Sequence, residues 1–470
     1  MIIKNKKIIF QIVLILALIV LTIPGIVKTL SGNTTFIGEE SYYHIRMIDQ
    51  FRDYGLKSTE VLTDKPYSFN LFHASLSLLP KSEIFIKIIP LILGLASLVI
   101  LVLLFTKMNI SADDSIFSII VIILSPIFIY TFTTFTPDSL AFFLLALGFL
   151  LFINRNYLSA IVFSALVLTN FMYGISVLLI LIAYNLIKKK FDADFYVNSA
   201  AIILTTIFAL IFLDYNLFVQ FTPITTSLNN LFVSFSAIKG YSFFIVILAI
   251  IGFKMDWKRS FKQTLIYSFI ASVFILSVLY PALRILVNSA LAVYAGIAIS
   301  KFIKDEWNVK KLKGITLLLI ICSLLFSTAV FLKAEITEIN PKKVEAINYL
   351  TATDKGDIIL SSVENGFLIE TLANRIAYLD SNSYKFSDYE EKVAVAKSIY
   401  YSRSLDKLKT ILNSNKINHI LVDNKMRTGG IWNTREEGIL LLFDNSKSFV
   451  KIFDNKEVQI YRYVGQELKN

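Results

Sequence analysis

The sequence predicts an α-helical polytopic membrane protein of about eleven spanning helices, with an external α/β domain at its C-terminal end. Three observations lead there. Of 470 residues 55% are hydrophobic and mean hydropathy is +0.65, whereas soluble proteins are about 45 to 50% apolar. Charged residues make up only 17% and punctuate apolar runs of about 20 residues, the length that crosses a hydrocarbon core of about 30 Å. These runs cease after Leu332, and residues 333–470 carry 20 basic and 19 acidic side chains, so nearly all of the net charge of +11 belongs to the first 332. Disorder and a soluble enzyme are excluded. The single cysteine, Cys322, excludes a disulfide framework and a cysteine metal cluster.

Clear spans fall at about 8–27, 84–106, 115–133 and 136–153. The stretch 157–187 is too long for one helix and is interrupted at Thr169-Asn170-Phe171-Met172-Tyr173-Gly174, which divides it into two short helices meeting near Asn170. Further spans are expected at 196–213, 241–253, 264–280, 283–303 and 314–332. The first reads as an uncleaved anchor, since it is long and lacks a small-residue cleavage site. Placing the N-terminus in the cytoplasm puts seventeen Lys and Arg on inner connections and only Lys239 and Arg284 on short outer ones, the inside-positive asymmetry of the cell membrane. The basic excess is therefore a topology signal, not a nucleic-acid surface.

Two regions lie outside the bilayer: a long external loop over 28–83, and residues 333–470. In the latter, 357–361, 375–379 and 418–422 read as short buried strands, 364–373, 388–401 and 404–413 as helices, and 449–453 with 458–463 as a final hairpin. The linear division is thus 1–332, membrane part with its loop, and 333–470, external domain.

The external loop carries Gly38-Glu39-Glu40-Ser41-Tyr42-Tyr43-His44-Ile45-Arg46, a helical pattern ending at Gly55. Glu40 and His44 share a face at i, i+4, and Glu39, Tyr43 and Arg46 a neighbouring one. Carboxylates beside His and Arg can take a proton from an acceptor hydroxyl and hold a lipid phosphate; an amphipathic interfacial helix would read the same way. Asp138, in Thr136-Pro137-Asp138-Ser139, sits in the external turn between spans three and four. An ionisable group there points to function, although the same four residues are an ordinary helix start. Arg284, where a span reaches the external surface, either snorkels or grips a phosphate. His73 lies on a short apolar helix and is expected mainly to pack, with substrate contact the lesser reading. His419 reads as a core residue, and Asp423-Asn424-Lys425 is a weak loop signal. Asn33-Thr34-Thr35 matches the glycosylation sequon, close to the membrane. No phosphate-binding Gly-rich loop, serine triad or metal-spaced His/Cys set is present.

In this order, the acidic loop with its Tyr-Tyr-His-x-Arg helix, the Thr-Pro-Asp turn, the late Arg and the external C-terminal domain resemble the GT-C superfamily of polyprenyl-phosphate-dependent glycosyltransferases. The stretch Gly38 to Arg46 looks most like archaeal oligosaccharyltransferases, while the size is nearer protein mannosyltransferases and lipid-A arabinosyltransferases. The resemblance implies a GT-C-like fold, a polyprenyl (dolichyl)-phosphate sugar as donor, and an acceptor protein or glycolipid on the external face. It maps the loop acid, as base or metal ligand, onto Glu39 or Glu40, the second acid onto Asp138, and the donor-phosphate contact onto Arg284, helped by His44 or Arg46, with Tyr43 and His73 beside them. A divalent cation (Mg or Mn) bridging Glu39, Asp138 and the phosphate stays open. The family more often has Asp where Glu39 and Glu40 stand. The Trp-Trp-Asp-Tyr-Gly signature is absent, since the tryptophans are Trp257, Trp307 and Trp432, which favours transfer of a single or short sugar to an acceptor other than asparagine. The rival readings are a transporter or lipid flippase, for which Asn170, Asp214, Asn288 and Lys239 would line a path, and an inactive relative that binds polyprenyl lipid.

Overall fold

The computed structural model describes residues 6–33, 35–188, 191–213, 231–232, 240–257, 261–434, 436–445 and 447–465. Asp214, Lys239 and several of the basic residues used for orientation lie outside them. The chain forms two compact units, Met1–Lys28 with Ser68–Thr337, and Thr29–Tyr67 with Glu338–Asn470. This differs from the linear division at 332/333. The change of unit falls near the end of the helix Lys310–Glu338, and much of the expected external loop belongs with the C-terminal residues.

In the first unit a helix forms at each of the expected spans, and a subset of these helices is long and apolar enough to count as a crossing by length and composition. Among the described residues, six segments are long and apolar enough to cross a membrane: Ile8–Leu30, Glu83–Lys107, Phe171–Lys188, Ala193–Phe212, Pro281–Lys304 and Lys310–Ala352. A seventh is added if Ala112–Ile123 and Pro126–Thr133, bent by 62°, are one broken span. The bend has a local cause: Pro126 opens the second helix and the Ser125 hydroxyl accepts from Phe128 N at 3.2 Å. Other expected spans include the shorter helices Pro137–Ile153, Leu158–Thr169 and Phe243–Asp256, of 17, 12 and 14 residues, against the roughly 20 that a hydrocarbon core needs, and Phe261–Leu279, of 19. The break at Asn170 is where the sequence placed it: Asn170 ends one helix, and its Oδ1 accepts from Met172 N at 3.1 Å to begin the next.

Buried polar groups tie these helices together. Asn288 donates to Ser125 Oγ at 2.8 Å, and Thr328 Oγ1 donates to the Leu124 carbonyl at 2.6 Å. A Cβ on Gly296 would lie 2.5 Å from Ser118 N, so glycine is what lets Arg284–Lys304 meet Ala112–Ile123 backbone to backbone.

The second unit is built on a five-stranded mixed sheet: β1 Ile358–Leu360, β2 Ile376–Ala377, β3 Ile417–Asp423, β4 Phe449–Asp454 and β5 Val458–Tyr463, in the order β2-β1-β3-β5-β4. β2, β1 and β3 are parallel, while β5 and β4 are antiparallel. Each strand lies where alternation and β-branched content place it. The sheet is covered on both faces. Leu360, Ile420, Val422 and Tyr461 meet Ile399, Leu408 and Trp432 on one side. Ile359, Leu421 and Ile460 meet Ile347, Phe367 and Tyr42 on the other. Tyr42 belongs to the helix Glu39–Tyr54, so a helix of the 28–83 stretch is part of one layer of this α/β sandwich.

That layer encloses a group of charges. Arg46 Nη2 lies 2.6 Å from Glu370 Oε2 and 3.0 Å from Glu60 Oε2. Lys65 Nζ lies 3.2 Å from Glu370 Oε1 and also pairs with Asp380. Two cations face three carboxylates, and one proton makes the group neutral. Glu370 takes it: burial, with Asp380 and Glu60 adding to it, outweighs the pull of Arg46 and Lys65 and pushes its carboxyl up to about 8. Asp380 is held below the ordinary range, since Lys65 and the Asn382 and Ser383 hydrogen bonds outweigh its burial. A carboxyl whose folded value is raised stabilises the fold below its unfolded value and loses that contribution as pH rises to the folded one. The melting temperature of the purified chain should therefore decline between the ordinary carboxylate range and pH 8, and Glu370→Gln should flatten that decline. An unchanged slope in the variant would place the proton elsewhere.

Candidate active site

The helix Glu39–Tyr54 follows Gly38, whose φ of 69° suits glycine and sets the point at which the helix begins. Glu39 and Glu40 occupy the first turn, and the structure gathers five expected residues here: Glu39, Glu40, Tyr43, His44 and Arg46. The His44 ring meets Tyr43 edge-on at 5.1 Å, Tyr43 lies 4.9 Å from Phe367, and the Arg46 guanidinium sits over the Tyr43 ring at 5.7 Å. Burial pushes the Tyr43 phenol well above its ordinary value, so it stays protonated at neutral pH. Arg46 is drawn into the buried ion group through Nη2, while its Nε and Nη1 are buried with no hydrogen-bond partner among the described residues.

Glu39 differs from its neighbours. Its Oε1 accepts a hydrogen bond from Ser381 Oγ, and its Oε2 is buried with no hydrogen-bond partner among the described residues. Burial chiefly, then the Glu338 charge, raise its carboxyl well above the ordinary range against the lowering by Ser381, with Glu40 and Glu364 adding to the rise. A carboxylate held on one oxygen and bare on the other, with raised basicity, is suited to taking a proton from a hydroxyl.

The remaining expected residues lie in the membrane unit. Asp138 is in the first turn of Pro137–Ile153, and its Oδ1 accepts from Asn170 Nδ2 at 3.3 Å. Asn70 Nδ2 donates to the Thr169 carbonyl at 3.0 Å, and Asn70 Oδ1 caps the helix Leu71–Ser77 that carries His73. Tyr173 Oη donates to the Ala282 carbonyl at 2.8 Å, two residues before Arg284. Helix starts and a helix break thus form one hydrogen-bonded corner around Asn170. His73 is buried beside Phe72. Arg284 is also buried, 2% exposed, with Nε 3.4 Å from the Ser277 carbonyl, so it does not snorkel to a lipid surface.

Several residues outside the expected set matter. Ser381, Lys65, Glu370 and Asp380 come from ordinary polar stretches, with no local signal to mark them. The sequon is closed: Asn33 Nδ2, the atom that would carry a glycan, donates to the Ile339 carbonyl at 2.7 Å, and Asn33 is buried. His419 lies in the core of the sheet, and Asp423 pairs with Lys343 and caps Met426 N at 2.8 Å, a structural role. For a metal, Glu39 and Asp138 are in different units. Among the described residues no three His, Cys, Asp or Glu side chains gather as a metal-ligating group.

No protein-family model matches the sequence, and no curated protein matches it. Solved structures match in fold. The archaeal oligosaccharyltransferase AglB from Archaeoglobus fulgidus, in complex with an inhibitory peptide and a dolichol-phosphate, aligns with a TM-score of 0.61 at 11% identity, over 99% of this chain and 75% of its own. An A. fulgidus oligosaccharyltransferase in complex with Zn and sulfate aligns at 0.58 and 12%, over 96% and 73%. ArnT from Cupriavidus metallidurans bound to undecaprenyl phosphate aligns at 0.54 and 10%, over 97% of both chains. The chain has the fold of the GT-C polyprenyl-phosphate-dependent glycosyltransferases.

Asn170 caps one helix and holds Asp138. Asn170→Ala should cost about 1 kcal/mol of stability, the usual loss for a removed cap, seen as a lowered melting temperature in detergent; an unchanged melt would remove Asn170 from the corner.

Proposed function

We propose that this chain is an integral-membrane glycosyltransferase that moves a sugar from a polyprenyl-phosphate donor to an acceptor hydroxyl, with Glu39 as the base. The half-paired Glu39 carboxylate carries this reading, and the GT-C fold supports it. Glu39 is favoured over Glu40 because its Oε1 is occupied by Ser381 while its Oε2 is bare. The distribution of basic residues supports a cytoplasmic N-terminus and an external reaction. The missing Trp-Trp-Asp-Tyr-Gly signature supports a single or short sugar and an acceptor protein or glycolipid hydroxyl.

In the proposed reaction the acceptor oxygen attacks the anomeric carbon as its proton passes to Glu39 Oε2. The new C–O bond forms with inversion, and the bond to the phosphate oxygen breaks. The leaving polyprenyl phosphate takes the electron pair. Arg284, the cation of the late membrane turn, is the proposed partner of that phosphate, since a buried guanidinium stabilises developing negative charge strongly.

With purified protein, a radiolabelled polyprenyl-phosphate sugar and membrane acceptors, Glu39→Gln should reduce transfer by roughly 10²- to 10⁴-fold, the range for a lost general base. Glu40→Gln should reduce it much less. Equal activity in wild type and Glu39→Gln would overturn the assignment of the base.

A further inference from the structure

The residue that holds Glu39 comes from far along the chain. Ser381 lies in the turn after Leu379-Asp380, and this turn is itself fixed on three sides. Asp380 Oδ1 accepts from Asn382 N at 2.8 Å and Ser383 Oγ at 3.0 Å. Asp380 Oδ2 pairs with Lys65, of the external-loop segment. Behind the turn lies Gly366, where an added Cβ would sit 2.5 Å from Asp380 Cα and 2.6 Å from the Leu379 carbonyl oxygen. Only a glycine admits this approach. Adjacent residues of one turn therefore reach back to the external-loop segment: Asp380 to the 58–67 stretch and Ser381 to the first turn of the helix Glu39–Tyr54.

We propose that Ser381 is a positioning residue for the glycosyl transfer, holding Glu39 by Oε1 so that Oε2 faces the acceptor hydroxyl. This rests on the reading of Glu39 as the base. It gives residues 338–470 a part in the reaction itself: the α/β unit supplies the clamp on a carboxylate carried by the external-loop helix. A Glu side chain has three rotatable bonds, and holding one oxygen narrows the range of directions open to the other. The clamp needs a hydroxyl, and threonine at 381 supplies one.

Transfer by the full-length protein in detergent is compared for wild type, Glu39→Gln, Ser381→Ala and Ser381→Thr, with melting temperature read in parallel. The expected result is a loss of about tenfold in kcat for Ser381→Ala at unchanged KM for the polyprenyl-phosphate sugar, equivalent to one lost hydrogen bond of about 1.4 kcal/mol. Ser381→Thr should recover most of it, and both variants should melt within a few degrees of wild type. Gly366→Ala, which pushes the turn from behind, should lower kcat in the same sense. An inactive Glu39→Gln with a fully active Ser381→Ala would overturn the clamp alone. The same holds for equal losses in Ser381→Ala and Ser381→Thr. An active Glu39→Gln would overturn the base and the clamp together.

Discussion

The central sheet of the second unit has two apolar faces, and the C-terminal helices do not cover both alone. Ile399, Leu408 and Trp432 close one face, whereas Ile347, Phe367 and Tyr42 close the other. Tyr42 arrives from more than 300 residues earlier in the chain. A β3 buried on both faces must be covered on both, so the unit recruits part of the 28–83 stretch. That burial fixes the helix Glu39–Tyr54, and with it Glu39, Glu40, Tyr43, His44 and Arg46.

Recruiting this helix also brings its charges inside. Arg46 and Lys65 arrive with the loop segment, Glu370 and Asp380 with the C-terminal one. Buried ions are costly unless paired and hydrogen-bonded, and breaking one pair leaves an uncompensated charge. Such a group adds little net stability, but it penalises any displacement of one segment against the other. Apolar contacts through Tyr42 and Phe36 would tolerate sliding by part of an ångström; the bidentate arrangement of Glu370 between Arg46 and Lys65 tolerates much less. Hydrophobic burial therefore supplies the association of the two segments, and the ion group supplies their register.

The fold was largely legible because its signals are local. Strand alternation marked 418–422 and the hairpin 449–463, and the Asn170 interruption marked a real helix break. The span count was legible in part: a helix forms at every expected run, but some, such as Leu158–Thr169, are shorter than a full crossing. The same limit applied to the site. Glu39, Glu40, His44 and Arg46 sit together on one helix and could be seen as a motif. Ser381 and Glu370 are joined to that helix only by the tertiary fold, and nothing in Leu379-Asp380-Ser381-Asn382 distinguishes it from a surface turn. The sequon Asn33-Thr34-Thr35 failed for the converse reason: the motif is local, but the Ile339 carbonyl that occupies its amide is not.

The preference for Glu39 over Glu40 follows from these constraints. Both occupy the first turn of one helix, where the backbone dipole favours a carboxylate equally, so helix geometry alone cannot separate them. Successive positions on a helix point about 100° apart. Tyr42 and Tyr43 are committed to the sheet side, and Glu39, three and four positions before them on the same face, meets Ser381 of the 380–383 turn. Ser381 and burial then act on Glu39 in opposite senses, the first favouring its charged form and the second its neutral one. Burial wins, and Glu39 gains a basicity that an exposed carboxylate lacks. The clamp therefore serves direction, while the apolar layer that recruited the helix serves basicity.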